Sequence, residues 1–183
     1  MVEFVTRSEL LGFARNMGLT ESASLQKRAQ ERSPQGSTFL SHSSKDKELV
    51  AGAISVLEDE GASVYIDKKD TDLPPYTNRE TAATLKKRIN QSRKFVLLAS
   101  SNSQQSKWVP WELGLADGYK GMDRTAIFPA VDSQGQSGWV NWEYIGLYDR
   151  IVWGQIKGDS ENRWLVHNHI KNTAIRLSEW LRQ

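Results

Sequence analysis

Between residues 37 and 153, short apolar runs alternate with stretches whose apolar residues recur every three or four positions. That alternation predicts an α/β domain. Five runs read as strands: Thr38–Ser41, Ser63–Asp67, Lys94–Ser100, Thr125–Val131 and Asp149–Trp153. The third carries Phe95, Val96, Leu97, Leu98 and Ala99 in succession, as expected of a central parallel strand covered on both faces. Between the first two runs, Leu49, Ala53, Ile54 and Leu57 lie at helical spacing, with Gly61 as a stop signal. Ala82, Leu85 and Ile89 mark a second helix, and a third spans about Trp111 to Tyr119 ahead of Gly121. Parallel strands need such crossovers, and right-handed crossovers place helices on both faces of the sheet.

The flanks read differently. Thr6 with Glu9 fits a capping box, and Leu10, Phe13 and Met17 form a candidate apolar stripe. Residues 1–36 are therefore expected to be a helical extension and linker, with one or two helices over 6–32 broken by Ser33-Pro34-Gln35-Gly36. At the other end, Leu165, Ile170, Ala174, Leu177 and Leu181 predict a long closing helix begun by Asp159 or Ser160, so that residues 154–183 pack on the 37–153 domain. The loop from Asp132 to Tyr148 has no clear period. Its Trp139 and Trp142 suit either closure over a site or a contact between subunits.

Composition narrows the function classes. The 183 residues hold 24 Lys plus Arg against 22 Asp plus Glu, and a net charge of +2 gives no reason to expect nucleic-acid or membrane binding. With no cysteine, a disulfide framework, a Cys-ligated zinc, an iron–sulfur cluster and a thiol nucleophile are excluded. Three histidines, scattered along the chain, make no metal site, and His167 and His169 are expected to be solvated or packed. The longest apolar run, Phe95 to Ala99, is far short of the roughly 20 residues of a membrane span. The N-terminus has no signal-peptide pattern, so a cytoplasmic protein is the expectation.

In an open parallel sheet, ligands bind at the carboxyl ends of the strands where the strand order reverses. For the order 2-1-3-4-5 that crevice lies between the loops after the first and third strands. The loop after the first is Ser41-His42-Ser43-Ser44-Lys45-Asp46, rich in donors and opening a helix whose N-terminus favours an anion. Plain helix capping by Ser43 or Ser44 is the competing reading. Neither GxGxxG nor GxxxxGK[ST] occurs, so neither a dinucleotide fingerprint nor a P-loop is supported. The loop after the third strand leads into Ser106-Lys107-Trp108-Val109-Pro110-Trp111-Glu112-Leu113, which sets a carboxylate beside two indoles. A carboxylate there can stabilise a ribosyl oxocarbenium ion or hold sugar hydroxyls, and an aromatic can stack on a base. Pro110 leaves two registers open: a helix starting at Pro110 with Glu112 in its first turn, or an earlier start with Trp108 and Glu112 as an i, i+4 pair. The segment after the second strand, from Asp67 to Asn78, is long and charged, and Asp67 suits either orienting the first loop or a plain turn.

Taken in order, three blocks resemble the Toll/interleukin-1 receptor (TIR) domain of the bacterial kind. Thr38-Phe39-Leu40-Ser41-His42-Ser43-Ser44-Lys45-Asp46 is similar to the family's first box. Ser63-Val64-Tyr65-Ile66-Asp67 resembles the second strand and the start of the BB loop. Phe95-Val96-Leu97-Leu98-Ala99-Ser100 with Lys107-Trp108-Val109-Pro110-Trp111-Glu112-Leu113 is similar to the third strand and its helix. The resemblance implies a flavodoxin-like five-stranded parallel sheet over residues 37–153, self-association, and cleavage of the N-glycosidic bond of NAD as substrate, with no separate cofactor. Its W-x-x-x-E pattern falls on Trp108 and Glu112, which implies Glu112 as the catalytic carboxylate and Trp108 as a wall of the pocket. His42, Ser43 and Ser44 would line the nucleotide site, Asp67 would support it, and Tyr76 is the candidate aromatic beside nicotinamide.

The expected activity releases nicotinamide and yields ADP-ribose, a cyclic isomer or an ADP-ribose conjugate. Stand-alone bacterial members of this kind resemble Thoeris-type antiphage components, whose product signals to a separate effector. The alternative is a non-catalytic adaptor that uses the fold for assembly, against which the Trp108 and Glu112 pair argues. A response-regulator receiver is excluded, because it needs acidic residues after the first strand and this chain has Ser41-His42-Ser43. A deoxyribosyltransferase-like glycosidase also uses a crevice glutamate and stays open at this point.

Overall fold

The computed structural model describes residues 2–67, 79–134, 140 and 143–183. Those residues form β1 (Val5–Thr6), α1 (Arg7–Met17), α2 (Leu19–Glu31), β2 (Thr38–His42), α3 (Lys47–Asp59), β3 (Val64–Tyr65), α4 (Arg79–Gln91) and β4 (Lys94–Ala99). They continue through α5 (Val109–Lys120), β5 (Thr125–Val131), β6 (Asp149–Gly154), β7 (Arg163–Asn168), β8 (Thr173–Arg176) and α6 (Leu177–Arg182). The sheet runs β3-β2-β4-β5-β6-β7-β8. From β3 to β6 every pairing is parallel. In strand sequence this is the expected 2-1-3-4-5 order, the flavodoxin-like arrangement, with its reversal between β2 and β4.

Alternating side chains of the parallel strands feed two cores. Leu40, Val96, Leu98 and Phe128 meet α1, α2, α3 and α6 through Leu10, Leu25, Leu49, Ile54, Leu57 and Leu177. Phe39, Phe95, Leu97 and Ile127 meet α4 and α5 through Leu85, Ile89, Val109 and Leu113. β4 and β5 are buried throughout, which explains their unbroken apolar sequence.

The sheet is larger than the five strands expected, for two reasons. The N-terminus adds β1, which pairs parallel with the far end of β5, Val5 with Ala130 and Thr6 with Val131. The C-terminus corrects the expectation of a long closing helix. Residues 163–176 instead form an antiparallel hairpin, with β7 paired to β6 and β8 to β7. Its turn places Asn172 in the left-handed region at φ 51°. The apolar residues of β7 alternate across the sheet: Trp164 lies edge-on to Phe128 at 5.5 Å, and Val166 joins the same core. The intervals from Leu165 to Ile170 and Ala174 thus belong to two strands and a turn, and only Leu177 and Leu181 share a helix.

Residues 1–36 do form two helices. Thr6 Oγ1 accepts from the Glu9 N–H at 3.2 Å and Glu9 Oε2 accepts from the Thr6 N–H at 2.7 Å, the reciprocal capping box. Leu10 is fully buried and Met17 packs on the core, whereas Phe13 leaves the expected stripe and is 36% exposed. Helix α1 lies so close to α3 that a Cβ on Gly52 would sit 2.2 Å from the Leu10 carbonyl oxygen. Helix α2 covers the edge next to β3: the Ile66 N–H donates to the Ala29 carbonyl at 3.2 Å and Arg32 Nη1 to the Val64 carbonyl at 2.8 Å. The extension therefore closes a sheet edge that would otherwise offer unpaired backbone groups. Among the described residues no helix is long and apolar enough to cross a membrane.

Candidate functional site

The strand reversal puts the crevice between the segment after β2 (Ser43–Asp46) and the segment after β4 (Ser100–Trp108). Period-two alternation places Ser41 on the face of Phe39, toward α5, and His42 on the face of Leu40, toward α3. Helix α5 starts at Val109 with Pro110 in its first turn, where the missing N–H costs no helical bond. The Glu112 N–H donates to the Trp108 carbonyl at 2.9 Å, so both sequence features hold: Glu112 lies in the first turn, and Trp108 sits one turn before it. A first-turn carboxylate is favoured by the helix dipole.

The Ser41 hydroxyl donates to Glu112 Oε2 at 2.5 Å, and both residues are buried, at 1% and 5% exposure. That contact joins β2 to α5 across the reversal point and fixes the carboxylate. Trp108 is half-buried, with its ring 5.4 Å from that of Trp111 in an edge-to-face arrangement, while Lys86 Nζ lies 5.9 Å over the Trp111 ring on the α4 side. Trp108 is therefore the indole nearer the crevice in sequence, and Trp111 serves the α4–α5 packing.

On the opposite wall, His42 and Ser43 are buried and Ser44 is exposed. Ser43 caps a short 3₁₀ turn over Ser44–Asp46, its Oγ accepting from the Lys45 N–H at 3.4 Å. Asp67 follows β3, the strand paired with β2, and Arg88 of α4 donates to its Oδ1 at 2.7 Å. Tyr76, Trp139 and Trp142 lie outside the described residues. Of the expected site residues, Glu112 is joined to β2 through Ser41, Trp108 directly precedes its helix, His42, Ser43 and Ser44 end β2 and begin the segment after it, and Asp67 is bonded to α4.

Residues to which the sequence reading gave no role join these segments. Asp46 is fully buried and accepts three bonds: from Ser100 Oγ at 2.7 Å, Asn102 Nδ2 at 2.8 Å and Arg7 Nη1 at 3.0 Å. Ser100 and Asn102 come from the segment after β4, so one carboxylate clamps the two crevice loops together. Arg7 brings a cation from α1 and also bonds Glu48 at 2.9 Å. At the rim, Lys45 Nζ donates to Gln105 Oε1. The signal for Asp46 was an acidic residue at the start of a helix; its three partners are distant in sequence and could not be read from it.

The chain thus combines a doubly wound parallel sheet with a buried glutamate bonded to a serine hydroxyl at the point where the strand order reverses. The TIR-domain profile matches residues 38–162, and the chain belongs to the TIR-domain family. It is 34% identical over 148 residues, 79% of this chain and 75% of the relative, to the protein of Bacillus cereus (strain MSX-D12) named "Probable 3' cyclic ADP-D-ribose synthase ThsB'". It is also 37% identical over 81 residues, 41% of this chain and 21% of the relative, to "Putative cyclic ADP-D-ribose synthase TIR2" of Cytobacillus dafuensis.

Proposed function

We propose that this protein is an NAD-consuming enzyme that breaks the bond between the nicotinamide nitrogen and the anomeric ribose carbon, with Glu112 as the catalytic carboxylate. The observation that carries this reading is the Glu112 side chain buried at the strand-reversal crevice and held by Ser41. The names of the two synthase relatives support the same substrate class.

The chemistry asks little of the protein. Nicotinamide leaves as a neutral molecule, and positive charge builds on the ribose ring as the bond lengthens. A carboxylate fixed beforehand stabilises that charge without reorganising, which is where electrostatic catalysis is strongest. Ser41 donates to Glu112 Oε2 and so fixes how the carboxylate is presented to the sugar. His42, Ser43 and Ser44, on the loop that opens toward α3, line the nucleotide, with Trp108 walling the nicotinamide side and Asp67 supporting the loop after β3. Capture of the cation by water gives ADP-ribose; capture by a hydroxyl or ring nitrogen of the same molecule gives a cyclic isomer. The similarity to cyclic ADP-ribose synthases favours the intramolecular route, which requires a pocket that excludes water. A cyclic product suits a diffusible signal read by a separate effector in bacterial antiphage immunity, with copies of this chain associating through TIR surfaces.

The test is incubation of the purified protein with NAD and identification of products by mass spectrometry, alongside Glu112→Gln. Loss of nicotinamide release in the variant, with a cyclic isomer as the wild-type product, supports the reading. Equal turnover by the variant removes Glu112 from the chemistry, and absence of NAD loss under all conditions leaves an assembly module.

A further inference from the structure

The N-terminal segment with α1 and the strands β6 and β7 line a pocket of about 290 Å³ that the proposed reaction does not use. Four aromatic rings, Phe4, Phe13, Trp153 and Trp164, line it together with Glu3 and Glu9. We propose that this pocket binds a small organic cation, an ammonium or guanidinium group carrying short alkyl substituents.

The argument starts from the rings. Trp153 and Trp164 meet at 5.2 Å with their planes 64° apart, so two indoles form a corner. Indole faces are the strongest aromatic partners for a cation, and an alkylated ammonium among several rings gains both this attraction and apolar burial. Trp164 is held in place from behind by Phe128 of the core. Trp153 is pinned by the backbone: its N–H and carbonyl exchange 2.8 Å bonds with Glu3, which also lines the pocket. The rings therefore need no rearrangement to receive a ligand.

Charge selects the sign of that ligand. Glu9 is fixed at the pocket because its Oε2 caps α1, 2.7 Å from both the N–H and the hydroxyl of Thr6. Among the described residues neither Glu3 nor Glu9 forms an ion pair. Two carboxylates beside exposed rings disfavour an anion, and because the Arg150 guanidinium already lies 5.9 Å from the centre of the Phe4 ring, Trp153 and Trp164 are the rings a ligand cation would meet. Trp153 is 38% and Phe13 36% exposed, so the mouth is open to solvent. A volume at the lower end of the roughly 300–1,000 Å³ range of ligand pockets fits a compact molecule and not a peptide segment.

The experiment titrates the full chain with choline, with agmatine as the guanidinium probe, and with 3,3-dimethylbutan-1-ol, the uncharged isostere of choline. The readout is the indole N–H resonances of Trp153 and Trp164. The expected result is saturable shifts of both resonances with a cation and affinity about ten-fold weaker for the alcohol. Glu3→Gln should weaken cation binding several-fold, and Trp153→Ala should abolish it. Trp153→Phe, which preserves the fold if alanine does not, should retain a weaker response at Trp164. Equal binding of the alcohol, unchanged binding by Glu3→Gln, or no saturable shift at either indole overturns the proposal. None of these outcomes depends on NAD turnover.

Discussion

Arg7 Nη1 lies 3.0 Å from Asp46 Oδ1, a contact between the first turn of the N-terminal helix and a fully buried carboxylate at the crevice. The same guanidinium also reaches Glu48 at 2.9 Å and Asp132, in the segment after β5, at 3.6 Å. One side chain from outside the residues that match the family thus neutralises acidic groups from two different loops. The extension is part of how the crevice walls are built.

Replacing Arg7 with alanine leaves the Asp46 carboxylate buried with two neutral donors in place of a counter-charge. The expected cost is about 2–4 kcal/mol of stability, measured by urea denaturation. NAD turnover should fall because the loops after β2 and β4 lose their common anchor. Asp46→Asn keeps the shape but loses the strength of charge-assisted bonding, and should lie between wild type and Arg7→Ala in both measurements.

Ser41→Ala removes the donor that orients Glu112 while leaving the carboxylate in place. If orientation matters to the reaction, kcat should drop about ten-fold, the worth of one hydrogen bond to a charged group, with KM for NAD nearly unchanged. Steady-state kinetics on NAD decide this. A change confined to KM would assign Ser41 to binding instead.

Gly52→Ala should push α1 away from α3, because the added methyl would stand 2.2 Å from the Leu10 carbonyl oxygen and a backbone atom cannot swing aside. The expected destabilisation is about 1–3 kcal/mol, the usual scale of overpacking. Hydrogen exchange should localise the opening to the first helix, and thermal denaturation gives its size.

Stability should rise with pH through the mildly alkaline range. Burial, with Arg124 and Arg93 adding repulsion, lowers the Lys94 ammonium to about 8, and burial with Arg124 does the same to Lys120. Unfolded, both titrate at 10.5, so above pH 8 the unfolded chain holds more protons and the folded state gains as pH increases. Tyr148 acts in the opposite sense: burial and its bond to Asp117 push it up to about 12 from 10.0, so that its contribution is lost above pH 10. Unfolding free energy measured by denaturant titration should therefore climb by roughly 4 kcal/mol between pH 8 and 10 and then flatten. Lys94→Met should raise stability at pH 7 and reduce that slope, since the methionine keeps the apolar packing where Lys94 Nζ now lies 4.4 Å over the Trp180 ring.

The central part of the fold was legible because each parallel strand and its crossover helix are marked by a local apolar pattern. Strands Thr38–His42, Lys94–Ala99 and Thr125–Val131 lie within a residue of their expected limits. The hairpin was not legible because Leu165, Ile170, Ala174, Leu177 and Leu181 mimic a helical interval. What decides the matter is pairing of Arg163–Asn168 with the edge of β6, a tertiary event that no local window contains. The start of helix α5, with Glu112 in its first turn, could be read from Pro110. Ser41 as its anchor, Asp46 as the loop clamp and Arg88 as the partner of Asp67 depend on contacts 71, 54 and 21 residues apart.

The pairing of Val5 with Ala130 also dictates an order of events during synthesis. The first helix can settle on Leu49 and Ile54 as soon as residues 47–59 leave the ribosome, but the short strand ahead of it has no partner until residues 125–131 have been made. That strand and the aromatic corner at Trp153 therefore come into being late, whereas Arg7 can meet Asp46 and Glu48 as soon as its helix has settled.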